Sequence, residues 1–392
     1  MANNVLNFPS GGTPTARSTR LAPSRLRDAR LAKRLNQSEL AASVGVTRQA
    51  ISAFEQGEKS PDPTTMADIA RALEQPLSFF TVEDGPVFGE FSTRFLRAFG
   101  PAIKRRNLMC EVLGKWFVQT ARYFDDLVNL PPVDLPSVAP RNPSGRYDLE
   151  EIELAAEQCR SQWGLGVGPI TNVVSLLETK GILLCRHEVE EEEIEAFSFW
   201  SGSRPFIFLS SNKDSAVRAR FDAAHELGHL VLHRWVGPEE LEDPKTLKLI
   251  EAEANRFAGA FLLPRRSFPN EVYSPRLDAF VALKRRWKVA IQAMIYRCKD
   301  LGIFDEGQIT NLYKQISFRK WRTKEPLDDE LALEAPRLLK RAFELVVKAA
   351  KRTAEEISSE LRISSRMIAA FCAVPASVFE GGRLEEFVPS LK

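Results

Sequence analysis

The sequence predicts a multidomain, mostly α-helical protein with one small α+β domain near its centre. Three observations lead to this fold class. The chain has 392 residues, which is enough for two or three domains. Apolar residues recur at helical spacing towards both ends of the chain, whereas short runs rich in β-branched and aromatic residues cluster between residues 181 and 209. The stretch that directly follows these runs, 221–233, has helical periodicity and holds three of the four histidines.

Composition narrows the class of protein. Hydrophobic residues make up 44% and charged residues 27% of the chain, as in ordinary globular proteins with well-filled cores. The net charge of +2 gives no indication of a nucleic-acid partner, but residues 1–35 hold seven arginines and lysines against one aspartate. Five cysteines without a CxxC spacing argue against a disulfide framework and against a cysteine-based zinc site.

The expected location is the cytoplasm, in association with the nucleoid and without a membrane partner. The N-terminal residues contain no apolar segment of the signal-peptide kind, and no apolar run approaches 18 residues. Residues 1–20 are rich in Asn, Ser, Gly and Pro and are predicted to form a disordered tail.

Residues 21–82 are predicted to form a helix-turn-helix bundle. A short helix should end at Gly45, because glycine suits the left-handed position after a helix. Thr47 can then cap a second helix, which Gly57 ends. The helix from Thr47 to Glu55 would be the recognition helix that enters the major groove.

These features resemble the XRE/Cro-type DNA-binding domain over residues 24–80. The resemblance implies sequence-specific binding to a double-stranded DNA operator as a homodimer. Five side chains match the family's DNA-contacting positions, the first two at phosphates and the others at base edges: Gln37, Thr47, Arg48, Gln49 and Ser52. Arginine pairs with guanine and glutamine with adenine through two hydrogen bonds each. Ala53 stands where the family often has a polar residue, which weakens recognition at that position.

Residues 83–145 are predicted to be a helical connector followed by a proline-rich linker. Aromatic residues recur every three or four positions over 87–128, which is typical of a helix whose aromatic face lies in a core or a dimer seam. The five prolines between Pro131 and Pro143 predict a stiff, extended segment and the main domain boundary.

The central domain is predicted to span residues 146–315. Its strands should be 181–185, 196–200 and 205–209, and the last two read as a hairpin. The acidic run 188–193 is interpreted as a solvated loop. Strands followed by a histidine-bearing helix suit a cleft in which an edge strand holds an extended peptide by β-augmentation.

The pattern His-Glu-x-x-His is formed by His225, Glu226 and His229. Residues four apart lie on one face of a helix, so the two imidazoles can hold one Zn²⁺ while Glu226 acts as general base. A metzincin would have a third histidine ten residues after the first, but that position is Trp235, which excludes the class. The remaining candidate for the third ligand is a carboxylate on the next helix, 246–263.

Two glutamates of that helix, Glu251 and Glu253, flank its apolar stripe on opposite sides, so only one should reach the metal. We favour Glu251, because Asn255 lies one turn further on the same side and can hold a ligand in place from behind. Glu253 stays the alternative. His233 is expected behind the ligands or at the surface rather than on the metal.

The histidine helix and the stretch Ile250 to Pro264 resemble the ImmA/IrrE-type metallopeptidases, and the likeness runs over roughly residues 150–300. The resemblance implies a compact zincin-like, gluzincin-type domain with a small sheet, zinc held by two histidines and a glutamate, and cleavage of a DNA-bound repressor. With the N-terminal bundle, it implies a transcription regulator of a stress or phage response that carries its own peptidase domain.

A second interpretation stays open, because a fold does not guarantee an activity. The peptidase-fold domain would then serve a non-proteolytic repressor or antitoxin-like regulator as a module that senses a metal or ligand, or binds a protein. If the domain is active, we favour cleavage of a partner, such as a repressor or a toxin-like protein, over self-cleavage between Pro131 and Pro143. Residues 316–392 are predicted to be a C-terminal helical domain, with a faint second helix-turn-helix near Thr353 to Leu361.

Overall fold

The computed structural model describes six stretches of the chain, residues 21–82, 85–92, 101–141, 145–187, 196–210 and 215–380, without the side chains of 101–104 and 238. The predicted tail and the acidic run lie outside these described residues. The contacts divide the chain into two compact units, Met1–Asp84 and Gly85–Lys392. Among the described helices, none combines the length and the apolar character that a membrane span requires.

The first unit consists of α1 (Pro23–Ala32), α2 (Gln37–Val44), α3 (Arg48–Gln56), α4 (Pro63–Ala72) and a 3-10 helix (Leu77–Thr81). Local chemistry sets these boundaries. Asn36 caps α2 reciprocally with Glu39, and Gly45 ends it at φ +78°. Thr47 begins α3 by accepting the backbone N–H of Ala50 at 3.2 Å.

A buried carboxylate ties three helices of this unit together. Arg30 of α1 donates to both oxygens of Glu55 in α3, at 2.6 and 2.9 Å. Gln37, the first residue of α2, donates its side-chain N–H to the same carboxylate at 2.9 Å. Because a bidentate arginine fixes the carboxylate plane, α2 and α3 are held at a defined angle.

The second unit contains the remaining elements in this order: α5 (Pro101–Asp125), α6 (Leu149–Gln162), α7 (Val173–Thr179), β1 (Leu183–His187), β2 (Ala196–Ser201), β3 (Arg204–Ser210), α8 (Ala216–Leu232), α9 (Pro238–Glu242), α10 (Pro244–Leu262), α11 (Leu277–Trp287), α12 (Ile291–Asp300), α13 (Glu306–Phe318), α14 (Leu338–Lys348), α15 (Ala354–Leu361) and α16 (Ser365–Cys372). The predicted fold class is confirmed: the protein is mostly helical, with a small three-stranded sheet in the central region.

The sheet has the strand order β1-β3-β2, with β1 parallel and β2 antiparallel to β3, so β2 is an edge strand. Alternation sends four phenylalanines to one face, where their rings stack across β2 and β3: Phe197, Phe199, Phe206 and Phe208. The opposite face packs against α8 through residues that include Ile207 and Leu209.

Helices from before and after the central region cover the phenylalanine face. Phe117 of α5 lies 5.4 Å from the ring of Phe206 in β3 and 5.4 Å from that of Phe371 in α16. Helices α14 and α16 also contact β1. Residues 338–372 therefore share one layer with α5 and pack on the same sheet as the central domain.

The sequence predicts a helix from residue 87, but residues 85–92 are not helical, and the helix that the structure describes in this stretch is α5, Pro101–Asp125. Gly89 adopts φ +151°, a conformation incompatible with a helix, and Phe91 forms a β-bridge with Ser201. A backbone that satisfies its hydrogen bonds at a sheet edge overrides the helical spacing of the aromatic residues.

The proline-rich segment packs within the second unit, although the sequence suggested a domain boundary there. The main-chain oxygen of Asp134 accepts the indole N–H of Trp163 at 2.7 Å, and its carboxylate pairs with Lys180 at 2.9 Å. A Cβ at Gly181 would lie 2.5 Å from the oxygen of Pro132, so the segment approaches that glycine closely. The division between the units instead falls at Asp84 and Gly85.

Buried ion pairs anchor the start of α8. Lys284 is fully buried and donates to Glu325 at 2.9 Å and to Asp328 at 2.6 Å. Asp328 also accepts the hydroxyl of Ser215, the residue before α8, at 3.0 Å. Separating the partners of such a pair would leave a charge buried and uncompensated, which is costly. The pairs therefore fix the segments that carry them relative to one another.

Helices α8 and α10 cross at Gly228. A Cβ at this position would lie 3.2 Å from the Cα and from the oxygen of Ala254, and 3.2 Å from the ring of Phe257. The interhelical distance therefore depends on a glycine in one helix and a small residue in the other. All three residues are fully or almost fully buried.

Gly228→Ala should lower the free energy of unfolding of the second unit by about 1–3 kcal/mol, the usual cost of overfilling a packed interface. The matched control is Gly259→Ala in α10, whose Cβ would meet Arg297 only at an ordinary 3.8 Å. That change should be neutral or stabilising by up to about 1 kcal/mol, because alanine favours helix. All six tryptophans lie in the second unit, so urea denaturation followed by tryptophan fluorescence measures it. Equal effects of both changes would show that the crossing does not depend on glycine.

Candidate metal centre

The crossing of α8 and α10 brings three potential ligands together. The donor atoms of His225, His229 and Glu251 all lie within 4.8 Å of one another. The two Nε2 atoms are 3.0 Å apart, and each lies 3.4 Å from an oxygen of Glu251. Both histidine side chains are 1% exposed and that of Glu251 is 18% exposed, so the carboxylate is the most exposed of the three candidate ligands.

An outer hydrogen bond fixes the ring of His225. Its Nδ1 lies 3.0 Å from the side-chain oxygen of Asn255, one turn after Glu251 on α10. An amide oxygen only accepts, so Nδ1 carries the proton. The lone pair of His225 is therefore on Nε2 and points towards Glu251.

A second chain of hydrogen bonds fixes His229. Its Nδ1 lies 3.0 Å from Nδ1 of His233, whose Nε2 lies 2.8 Å from Glu253. A carboxylate accepts, so His233 carries its proton on Nε2 and accepts the Nδ1–H of His229 through its own Nδ1. Burial lowers the pKa of His233 to about 4, against the opposing hydrogen bond to Glu253, so the ring is neutral at pH 7. The lone pair of His229 is again left on Nε2.

The donor set fits a divalent cation. Two imidazole lone pairs that face each other at 3.0 Å repel unless a positive charge lies beside them. Two nitrogens and one carboxylate, with outer partners that orient the rings, are the ligands that zinc accepts in hydrolytic sites.

Glu253, the alternative third ligand, lies on another side of α10. It accepts the bond from His233 and the backbone N–H of Tyr147 at 3.1 Å, and Arg146 lies 3.7 Å from it. Its side chain is 8% exposed, and its carboxylate is already bonded to His233 and Tyr147 behind the two candidate histidine ligands. The four-residue spacing from His229 to His233 was the available sequence signal for this arrangement.

Glu226 lies beside the cluster and contacts the edge strand. The hydroxyl of Ser198 in β2 donates to its carboxylate at 2.6 Å, and both residues are buried. Ser198 was not predicted, because a single serine in an apolar strand has no spacing signal. Its position links the orientation of Glu226 to the sheet edge.

The predicted DNA-contacting residues lie on α2, on α3 and at the N-cap of α3. Arg48 and Gln49 are exposed at the start of α3, and Ser52 lies half-buried one turn further on. Thr47 caps α3 with its hydroxyl, and Gln37 donates to Glu55. Anionic groups are favoured at the N-terminus of α3.

Comparison with known families finds one match within each unit. Residues 177–299 match the peptidase-family model described as an IrrE N-terminal-like domain, and residues 26–80 match the helix-turn-helix family. A search of curated proteins gave no significant match. The predicted fusion is confirmed: an XRE-type helix-turn-helix domain precedes an ImmA/IrrE-type metallopeptidase domain. The chain is thus a DNA-binding regulator that carries a peptidase-family domain.

Alanine at His225, His229 or Glu251 should each abolish stoichiometric zinc binding, because every change removes one of three ligands. Glu226→Gln should keep full zinc content, since it alters no ligand. Glu253→Ala should weaken zinc affinity by about 10–100-fold, the usual effect of removing an outer partner. Metal content after dialysis against competing chelators, measured by mass spectrometry, distinguishes these cases. Full zinc in Glu251→Ala with none in Glu253→Ala would assign the third position to Glu253.

Proposed function

We propose that the protein is a zinc-dependent metalloendopeptidase joined to a sequence-specific DNA-binding domain, and that it cleaves a protein partner, such as a repressor, under particular conditions. The convergence of His225, His229 and Glu251 next to the buried carboxylate of Glu226 carries this proposal. We keep residues 21–82 and 146–315 as the proposed limits of the two functional domains.

In this proposal His225, His229 and Glu251 hold the zinc ion. The bound ion would polarise the peptide carbonyl and acidify a water molecule. Glu226 takes the proton of the attacking water and passes it to the leaving amine. Ser198, which donates to Glu226 at 2.6 Å, keeps this carboxylate in one orientation.

The position of β2 at the edge of the sheet favours the proposal that the substrate is an extended segment of a protein. β2 is an edge strand of the described sheet, and its residue Ser198 contacts Glu226. Main-chain pairing supplies affinity without a fixed sequence, whereas side-chain pockets supply selectivity. An edge strand of this kind suits a peptidase that acts on a flexible segment of a protein.

For the first unit we propose that Arg48, Gln49 and Ser52 contact base edges and that Gln37 and Thr47 contact phosphates. Helix-turn-helix domains of this type bind two half-sites one helical turn apart, so we propose a homodimer on DNA. Exposure of Arg48 and Gln49 at the start of α3 supports the assignment.

The alternative is a non-proteolytic repressor or antitoxin-like regulator, in which the peptidase-fold domain senses a metal or ligand or binds a protein. One observation favours it. The outer edge of β2 at Trp200 and Gly202 is hydrogen-bonded by residues 90–92 of the same chain, which leaves less of the edge for a substrate.

Arg48→Ala and Gln49→Ala should each cost about 1–3 kcal/mol at the cognate operator, because each removes a bidentate base contact. Non-specific binding should change little. Arg71→Ala is the control, since Arg71 is an exposed cation on α4, paired with Asp68. Titrations at fixed salt measure the affinities, and light scattering of the complex measures the number of protomers. Unchanged operator affinity in both variants would place the recognition helix elsewhere.

Glu226→Gln should abolish proteolysis while the protein still binds zinc and DNA, because it removes the base and no ligand. Intact-mass analysis of cells that carry the gene and its neighbours, under inducing stress, should show a fragment of a partner protein with the wild type alone. Identical fragments and identical transcription of neighbouring genes in both strains would favour the non-proteolytic alternative.

A further inference from the structure

Residues 89–92 lie along the outer edge of β2. Phe91 forms an antiparallel bridge with Ser201, and the backbone N–H of Ser92 donates to the oxygen of Trp200 at 2.9 Å. The N–H of Gly202 donates to the oxygen of Glu90 at 2.7 Å. The hydroxyl of Ser92 accepts the N–H of Trp200 at 2.9 Å. The segment thus takes the bonds that an added strand would make.

Two glycines permit this close approach. A Cβ at Gly89 would lie 2.8 Å from the Cα of Gly202, and a Cβ at Gly202 would lie 2.5 Å from the oxygen of Phe88. Gly89 has φ +151° and Gly202 has φ +57°, both in regions that other residues rarely adopt. The crossing is therefore specific to a small residue at position 89.

The aromatic side chains on either side of Gly89 are half-buried and pack against aromatic rings of the sheet. The ring of Phe88 lies 5.9 Å from that of Phe206, with the guanidinium groups of Arg122 and Arg204 over it at 5.4 and 5.5 Å. The ring of Phe91 lies 5.9 Å from that of Phe199. Two aromatic side chains three positions apart in the segment therefore contact the sheet beside this edge.

The segment points towards the candidate active site. Trp200 and Gly202 direct their backbone groups outwards, so by alternation the next outward residue along β2 is Ser198, roughly 7 Å away from Trp200. Ser198 contacts Glu226. A peptide bound like residues 90–92, antiparallel to β2, places the residue two positions after Ser92 opposite Ser198. The amino-terminal part of such a peptide would need the places that Phe88 to Ser92 occupy.

We propose that residues 88–92 are an internal ligand of this edge, and that the partner replacing them is an extended protein segment of the same pattern: an aromatic residue, glycine or another small residue, any residue, then a second aromatic residue. Binding of such a segment to the edge of β2 does not require a catalytic step. We also propose that the partner's peptide bond just downstream is hydrolysed. Water then adds a hydroxyl to the carbonyl carbon and a hydrogen to the leaving amine. This step rests on the proposed function.

The test uses a fluorescent peptide with the sequence of residues 85–92 and the full-length protein. In Gly89→Ala the added Cβ displaces the internal segment, so the peptide should bind at least tenfold more tightly than to wild type. Gly85→Ala is the matched control, because its Cβ would meet Gln119 only at 3.6 Å, and it should behave as wild type. The same peptide carrying Phe88→Ala and Phe91→Ala should bind at least tenfold more weakly to Gly89→Ala.

Amide hydrogen exchange reports whether the segment has left the edge. The N–H groups of Ser92 and Gly202 should exchange faster in Gly89→Ala than in wild type, while α8 and α10 stay protected. Exchange that opens at these amides without any gain in peptide affinity would overturn the proposal. So would unchanged exchange and unchanged binding in both Gly89→Ala and Phe91→Ala, which would make the segment a permanent strand.

Binding is measured in the Glu226→Gln background without zinc, so it does not depend on catalysis. A second, longer peptide with the sequence of residues 85–98 continues past Ser92 to the position opposite Ser198. If it binds tightly to Gly89→Ala but the zinc-loaded form with Glu226 does not cleave it, the proposed peptidase is contradicted and the internal ligand is retained. Cleavage of a partner protein together with absent peptide binding would contradict the internal ligand alone.

Discussion

The close crossing of α8 and α10 is the constraint on which the candidate metal site depends. Gly228 against Ala254 sets how near the two helix axes approach, and His225 and Glu251 lie one turn or less from that crossing. Imidazole and carboxylate side chains have fixed reach, so one additional methyl group at the crossing would separate the ligands. His233 and Glu253, which hold His229 from behind, are both buried, and a hydrogen bond in such a low-dielectric environment is stronger than one in water.

The rest of the second unit acts as a frame for this pair of helices. Glu334, from the stretch before α14, pairs with Arg220 of α8 and accepts the backbone N–H groups of Val173 and Val174 at the start of α7. Asp328 accepts the hydroxyl of Ser215, the residue before α8, and Glu325 accepts the backbone N–H of Ile291 at the start of α12. These carboxylates lie beyond residue 299, where the family match ends. The metallopeptidase domain of this chain is thus held in place by residues outside the family's own limits.

Sequence periodicity predicted the parts of the site that lie on one helix or on one helix face. The four-residue spacing of His225 and His229 and the opposite placement of Glu251 and Glu253 follow from 3.6 residues per turn, and the structure has both helices. Contacts between distant segments could not be predicted in this way. Ser198 reaches Glu226 from a strand, and residues 85–92 leave the helical pattern because the sheet edge satisfies their backbone. Both depend on tertiary pairing, for which one sequence contains no spacing signal.

If an internal segment occupies the substrate edge, the DNA-binding domain gains a role in selecting the substrate of the peptidase domain. A segment tethered next to its own binding edge competes at an effective concentration in the millimolar range. A free peptide at micromolar concentration would rarely displace it. A partner protein bound beside the regulator on the same DNA has a comparable local concentration, and its aromatic–small–x–aromatic segment would then compete on equal terms. In the proposed function, DNA therefore selects the substrate by proximity, and the occupied edge protects other cellular proteins. Selectivity of this kind needs no narrow sequence preference at Glu226, because the discrimination occurs before any segment reaches it.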